Sequence, residues 1–206
     1  MAPYQHPIEA ESFRIILSEL GQHDFDANQL PVVLRVIHAT ADFDFKQTLR
    51  FSPGAVEAGI DALRSGCHVV TDVKMVAAGI SQGFVRQLGG SVFAVIDSNP
   101  EIARLAKRHG TTRSTMGMRM NKDRLQGAVI AIGNAPTALL ELIRLVQEEG
   151  VRPGLIVGAP VGFVSAVESK DELTRLDVPY ITALGRKGGT PVAVAIVNAL
   201  LRLALS

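Results

Sequence analysis

Ala128-Val129-Ile130-Ala131-Ile132-Gly133-Asn134-Ala135-Pro136-Thr137 runs from five apolar residues, through a glycine-containing loop, into a proline. The apolar run lacks the two-residue alternation of a strand with one face in water; a parallel strand covered on both sides looks like this. Proline is tolerated in a first helical turn, where its missing N–H does no harm. The spacing therefore predicts a strand over Ala128–Ile132 and a helix over Pro136–Glu149. Outward from here the same pattern recurs. Further short runs rich in Val and Ile stand at His68–Thr71, Val92–Ile96, Leu155–Val157 and Tyr180–Thr182. Helical segments follow most of them, over Pro100–His109, Phe163–Leu176 and Pro191–Leu205. Strand and helix in alternation predict an α/β fold, a doubly wound, mostly parallel sheet flanked by helices.

The part before Cys67 reads as helical. Pro7 opens a helix that Gly21 stops, a second runs from about Asn28 to Thr40, and Ser52-Pro53 caps and opens a third that ends at Gly66. No linker rich in Gly, Ser or Pro divides the chain, so residues 1–206 are taken as one domain with an N-terminal helical portion.

With 206 residues, 47% of them apolar and 20% charged, the chain has ample volume for a core and does not resemble a disordered one. Lys and Arg total 21 against 20 for Asp and Glu, without a charged block, which speaks against a nucleic-acid tail. Aromatics are 5% and Trp is absent, leaving few rings on which bases could stack. The lone Cys67 rules out an intrachain disulfide and a cysteine zinc cluster. The longest apolar run, Ala193 to Leu205, is broken by Asn198 and Arg202 and is too short for a bilayer. No charged start followed by an apolar stretch marks a signal peptide, so a cytoplasmic globular protein is expected.

In an open parallel sheet, ligands bind beyond the carboxyl ends of the strands. Residues 133–137, 158–162 and 185–190 fall there, each opening on a glycine and each preceding a helical segment. Helix starts offer unpaired N–H groups to anions, so a site for something large and anionic is expected, with plain turn chemistry as the alternative for any one loop. No G-x-G-x-x-G or G-x-x-x-x-G-K-[ST] is present, which disfavours nucleotide chemistry. Gly79-Ile80-Ser81-Gln82-Gly83 matches G-x-S-x-G, but a short helix is predicted between the strand and Ser81, with only Asp97 and His109 to complete a triad. The five histidines show no metal-ligand spacing, and no metal is expected.

His38 stands apart. It closes an apolar helix, shares a face with Arg35 three residues earlier, and has Asp42 one turn beyond to orient the imidazole. A cationic imidazole is favoured beside a helix C-terminus, which suits proton donation; a capping histidine with a solvated partner is the plainer reading. Ser12 is compatible with an ordinary mid-helix serine, and Arg113 sits in a polar stretch after the Gly110 stop, where most arginines are solvated. Lys74 has nothing nearby to desolvate it and reads as structural.

Several stretches together resemble the precorrin-8X methylmutases of cobalamin biosynthesis: Glu11-Ser12-Phe13-Arg14-Ile15-Ile16, Arg35-Val36-Ile37-His38-Ala39, Asp72-Val73-Lys74-Met75-Val76-Ala77-Ala78-Gly79, Thr112-Arg113-Ser114, Gly133-Asn134-Ala135-Pro136-Thr137-Ala138-Leu139, Pro160-Val161-Gly162-Phe163-Val164, Glu168-Ser169-Lys170 and Gly185-Arg186-Lys187-Gly188-Gly189. The resemblance spans about Tyr4 to the last helix. It implies an isomerase that moves a methyl group from C-11 to C-12 of precorrin-8X, or of cobalt-precorrin-8, by a [1,5]-sigmatropic shift giving hydrogenobyrinate or cobyrinate, with no cofactor. It also implies a homodimer with sites near the subunit interface. On this resemblance His38 is the catalytic proton donor. Ser12, Arg35 and Arg113 are substrate contacts. Lys187 is added on its chemistry alone, as a partner for a substrate carboxylate. Met75, Val161 and Phe163 offer apolar lining for a wide ring. Two competitors stay open: a tetrapyrrole carrier that transforms nothing, and a serine hydrolase at Ser81.

Overall fold

The computed structural model describes residues 6–96 and 99–206. In chain order the elements are α1 (Pro7–Leu20), α2 (Gln29–Thr40), α3 (Phe45–Thr48), β1 (Leu49–Phe51), α4 (Ala55–Arg64), β2 (Val69–Thr71), α5 (Lys74–Gly79), α6 (Gln82–Gln87) and β3 (Val92–Ala94). Then follow α7 (Pro100–Arg108), α8 (Arg113–Met120), β4 (Val129–Ile132), α9 (Pro136–Glu149), β5 (Leu155–Gly158), α10 (Ala166–Leu173), β6 (Tyr180–Ala183) and α11 (Thr190–Leu205).

The six strands form one sheet in the order β1-β6-β5-β4-β2-β3, parallel throughout except for β1, which pairs antiparallel with β6. Both faces are covered, as the continuous apolar runs predict. Val129 and Ala131 of β4 face a core built with Val33, Val36 and Ile37 of α2 and Ile196 and Leu200 of α11. Ile130 and Ile132 face the opposite core with Leu139 and Leu142 of α9. All four β4 side chains are fully buried, each large one worth about 1.5–3 kcal/mol of apolar transfer.

Four expectations need correction. The N-terminal third is not wholly helical: Leu49–Phe51 supplies the antiparallel edge strand, with Leu49 opposite Ala183. Ser52 does not cap a helix; its hydroxyl accepts the N–H of Tyr180 at 2.9 Å and extends that edge, and α4 begins only after Gly54 turns left-handed at φ 69°. The helix placed over Phe163–Leu176 is shorter, because 163–165 belong to the preceding loop. A helix that was not predicted, α8, opens at Arg113, which is exposed, and the Thr112 hydroxyl accepts the N–H of Thr115 as its cap.

Beyond β2 the chain passes to β3 on one side, while β4 lies on the other, so a topological switch point falls between β2 and β4. Asp72, the residue after β2, sits in it fully buried. Its carboxylate accepts the N–H groups of Gly133 at 3.1 Å and of Asn134 and Ala135 at 2.8 Å. Burial pushes its carboxyl above the ordinary aspartate value, and these N–H bonds pull the other way. The loop expected to greet an external anion is thus occupied by an internal one.

Candidate active site

Helices α2 and α11 pack antiparallel: Leu30 and Leu34 share a cleft with Leu203, and His38 shares another with Pro191 and Val194. Because α11 starts where β6 ends, His38 lies towards the carboxyl edge of the sheet. Helix α2 stops just beyond it, where Ala41 turns left-handed at φ 52° and its N–H bonds the Ile37 carbonyl. His38 is exposed, while Val36 and Ile37 beside it are buried in the core, so the imidazole stands on a rigid base.

Arg35 and His38 do share a face. Phe13 of α1 lies against both, its ring 5.1 Å from the imidazole and 4.9 Å from the Arg35 guanidinium. The carboxylate nearest this pair is not Asp42. Glu9 Oε1 accepts a hydrogen bond from Arg35 Nη1 at 2.9 Å and lies 3.8 Å from Arg202 Nη2. Burial opposes ionisation of Glu9, but Arg35, Arg202 and His38 outweigh it and hold the carboxyl below its ordinary value. Glu9, His38 and Arg202 line one cleft, of about 540 Å³. Arg35 and Arg202 line its neighbour, of about 560 Å³, whose floor is apolar.

Asp42 instead turns to Lys187. The Lys187 ammonium lies 2.7 Å from Asp42 and 2.6 Å from Asp44, pinning the turn after α2 to the loop before α11. That loop is braced again by Lys170, whose fully buried ammonium donates to the carbonyls of Pro160 and Lys187 at 3.1 and 2.9 Å. Burial lowers its pKa to about 8. The N–H of Gly189 bonds the Ala159 carbonyl and that of Gly162 the Arg186 carbonyl, so the loops after β5 and β6 bond mainly to each other.

Ser12 lies in mid-helix, its hydroxyl donating to the Ile8 carbonyl at 2.9 Å. Arg113 is on the other face of the sheet: its helix packs on α9, and Thr112 bonds Thr137 at the start of α9. Arg113 also lies towards the carboxyl edge, but it lines neither of the two clefts, of about 540 and 200 Å³, that His38 lines. Met75, Val161, Phe163 and Val164 stand exposed along that edge, Phe163 at 84% and Val164 at 82%. Ser81 follows α5, not a strand, and its N–H bonds the Asn198 side chain, which is not the geometry of a nucleophile elbow. Asp97, its supposed acid, lies outside the described residues. Glu9, Phe13 and Arg202 were not singled out in the sequence; the four-residue spacing of Glu9 and Phe13, which puts both on one face of α1, was the available signal.

A family model described as precorrin-8X methylmutase matches residues 7–203. The chain belongs to the precorrin-8X methylmutase family. Among its relatives in that family, the cobalt-precorrin-8 methylmutase of Priestia megaterium is 50% identical over 96% of this chain and 87% of its own length. The precorrin-8X methylmutase of Pseudomonas aeruginosa is 38% identical over 94% of this chain and 93% of its own. A solved precorrin-8X methylmutase structure from Thermus thermophilus superposes with a TM-score of 0.89 at 42% identity, covering 97% of this chain and 98% of that one.

Proposed function

We propose that this chain, 1–206 as one domain, is the cytoplasmic methylmutase that shifts a methyl group from C-11 to C-12 of precorrin-8X or cobalt-precorrin-8 in cobalamin biosynthesis. The C-11–methyl bond breaks as the C-12–methyl bond forms, so no atom enters or leaves and no redox partner is required. His38 is the catalytic residue, lending a proton to the conjugated ring as the methyl group moves and taking it back afterwards. Arg35 receives a substrate carboxylate, and Ser12 lies one residue before the ring that covers both side chains. Lys187 joins them only if a substrate carboxylate displaces Asp42 and Asp44 from its ammonium.

One observation carries this reading: an exposed imidazole on a rigid helix end, framed by Arg35, Phe13 and Arg202 and opening into apolar clefts. A carrier needs the arginines but not the imidazole. Arg113, on the opposite face of the sheet, fits if the enzyme is a homodimer in which one copy supplies His38 and the other Arg113 to each site.

Incubation with precorrin-8X, and separately with its cobalt form, tests the activity. Conversion at unchanged mass is expected from the wild type, and none from His38→Ala, which still binds product. Near-normal turnover by His38→Ala sinks the role of His38, and intact substrate recovered from the wild type favours the carrier. Mixed dimers of His38→Ala and Arg113→Ala regain turnover if sites are shared between copies.

A further inference from the structure

Arg35 and Arg202 come from different helices and converge on a single carboxylate, Glu9. The balance is uneven. Glu9 makes a hydrogen bond to Arg35, but at 3.8 Å it lies beyond hydrogen-bond distance of Arg202, whose side chain makes no hydrogen bond among the described residues. Two guanidinium groups therefore share one carboxylate at a place that borders both large clefts and the His38 imidazole. Guanidinium forks match carboxylates two N–H groups at a time, a geometry that Glu9 does not satisfy for either partner.

The helix carrying Glu9 is weakly held. Leu20, at its far end, is the one fully buried residue of α1, whereas Ile8, beside Glu9, is 72% exposed and Ile15 and Leu17 are 43% and 47% exposed. Segments with few buried apolar side chains open at low free-energy cost. The first turns of α1 can therefore yield without disturbing α2 or α11, whose inner faces are buried in the main core.

We propose that Arg202 is a second substrate-carboxylate-binding residue, acting beside Arg35, and that Glu9 is a placeholder that occupies their site in the free protein and is displaced when a carboxylate of the macrocycle arrives. The ligand class is an acetate or propionate side chain on a large, planar, apolar ring. The placement sets one edge of the ring beside His38 and leaves the apolar floor of the adjoining cleft to its face. This inference rests on the methylmutase reading.

The test measures KM and kcat with precorrin-8X, and product affinity by titration with hydrogenobyrinate, for the wild type, Arg202→Gln, Arg202→Lys and Glu9→Gln, each checked by thermal melting. Arg202→Gln is expected to raise KM and the product Kd roughly tenfold with kcat within about twofold, the loss of one charge-assisted contact. Arg202→Lys, which keeps the charge but not the fork, falls between, and it stands in for Arg202→Gln if that variant melts early. Glu9→Gln is expected to bind product several-fold more tightly than the wild type. Unchanged KM and Kd in both Arg202 variants overturn the role of Arg202. Weaker product binding by Glu9→Gln shows that Glu9 orients Arg35 rather than holding its place, and overturns the exchange. A wild type that neither converts precorrin-8X nor binds hydrogenobyrinate fails the methylmutase reading itself, and the inference falls with it.

Discussion

Asp72 Oδ2 accepts the backbone N–H of Asn134 at 2.8 Å, joining the first residue beyond β2 to the loop beyond β4 across 62 positions of sequence. A carboxylate can serve the N–H groups of Gly133, Asn134 and Ala135 together because both its oxygens accept. An amide cannot. Asp72→Asn is therefore expected to cost about 2–4 kcal/mol, since it turns a donor towards donors in a buried site. Urea unfolding measures this; a loss below about 0.5 kcal/mol means that the brace contributes little.

Lys170 gives a pH signature. Its pKa falls from the usual 10.5 to about 8 through burial, so between these values the unfolded chain keeps a proton that the folded lysine has released. Stability then rises with pH across that window, and below about 8 the full cost of burying the ammonium is present. Relative to Lys170→Met, the wild type is expected to gain on the order of 2–3 kcal/mol between pH 8 and 10.5. A flat difference across the window contradicts the assignment.

Glu141 shows the opposite sign. It is 5% exposed and accepts two hydrogen bonds from Arg119, at 2.8 and 2.9 Å, and two from Arg144. Burial works against its ionisation, yet the two arginines prevail and its carboxyl lies below the ordinary glutamate value. The stability it contributes is present above pH 4.5 and is lost as acid protonates the carboxylate. Glu141→Gln is expected to cost about 1–3 kcal/mol at pH 7 and progressively less in acid, because Arg119 ties α8, and with it Arg113, to α9. Melting temperatures of the two proteins that stay equally far apart down to pH 3 argue against it.

Gly188 admits no side chain. A Cβ there would meet the carbonyl oxygens of Ala159 at 2.5 Å and Pro160 at 2.7 Å, both main-chain atoms that cannot swing aside. Gly188→Ala is expected to cost about 1–3 kcal/mol by overpacking. It should also raise KM more than it lowers kcat, since the displaced loop lies at the proposed substrate edge while His38 stands on α2. Kinetics matching the wild type would show that the loop does not touch the substrate.

The parallel strands were legible because burial on both faces leaves an unbroken apolar run that little else in a soluble chain produces. β1 was not. Leu49-Arg50-Phe51 is three residues long with an exposed centre, and only its pairing with β6 makes it a strand. Helix α8 escaped notice because Gly117 weakens its propensity; its buried residues are held by α7 and α9, which sequence spacing does not reveal. Within the site, Arg35 and His38 were readable as neighbours on one helix. Glu9 and Arg202 reach them from distant parts of the chain, and Asp42, near in sequence, is drawn away by a lysine 145 positions on.

The antiparallel edge strand has a further consequence. β1 follows α3, the short helix just beyond the turn that ends the His38 helix, and is stitched into the sheet by Leu49, Arg50, Phe51 and then Ser52. The helix bearing the imidazole is thereby fastened at both flanks, by α11 along its length and by the sheet at its exit. Amides of α2 and of β6 should then exchange with deuterated solvent at one common rate, as a single cooperative block. Those of the first turns of α1 should exchange sooner, so that Glu9 can shift while the His38 imidazole keeps its place.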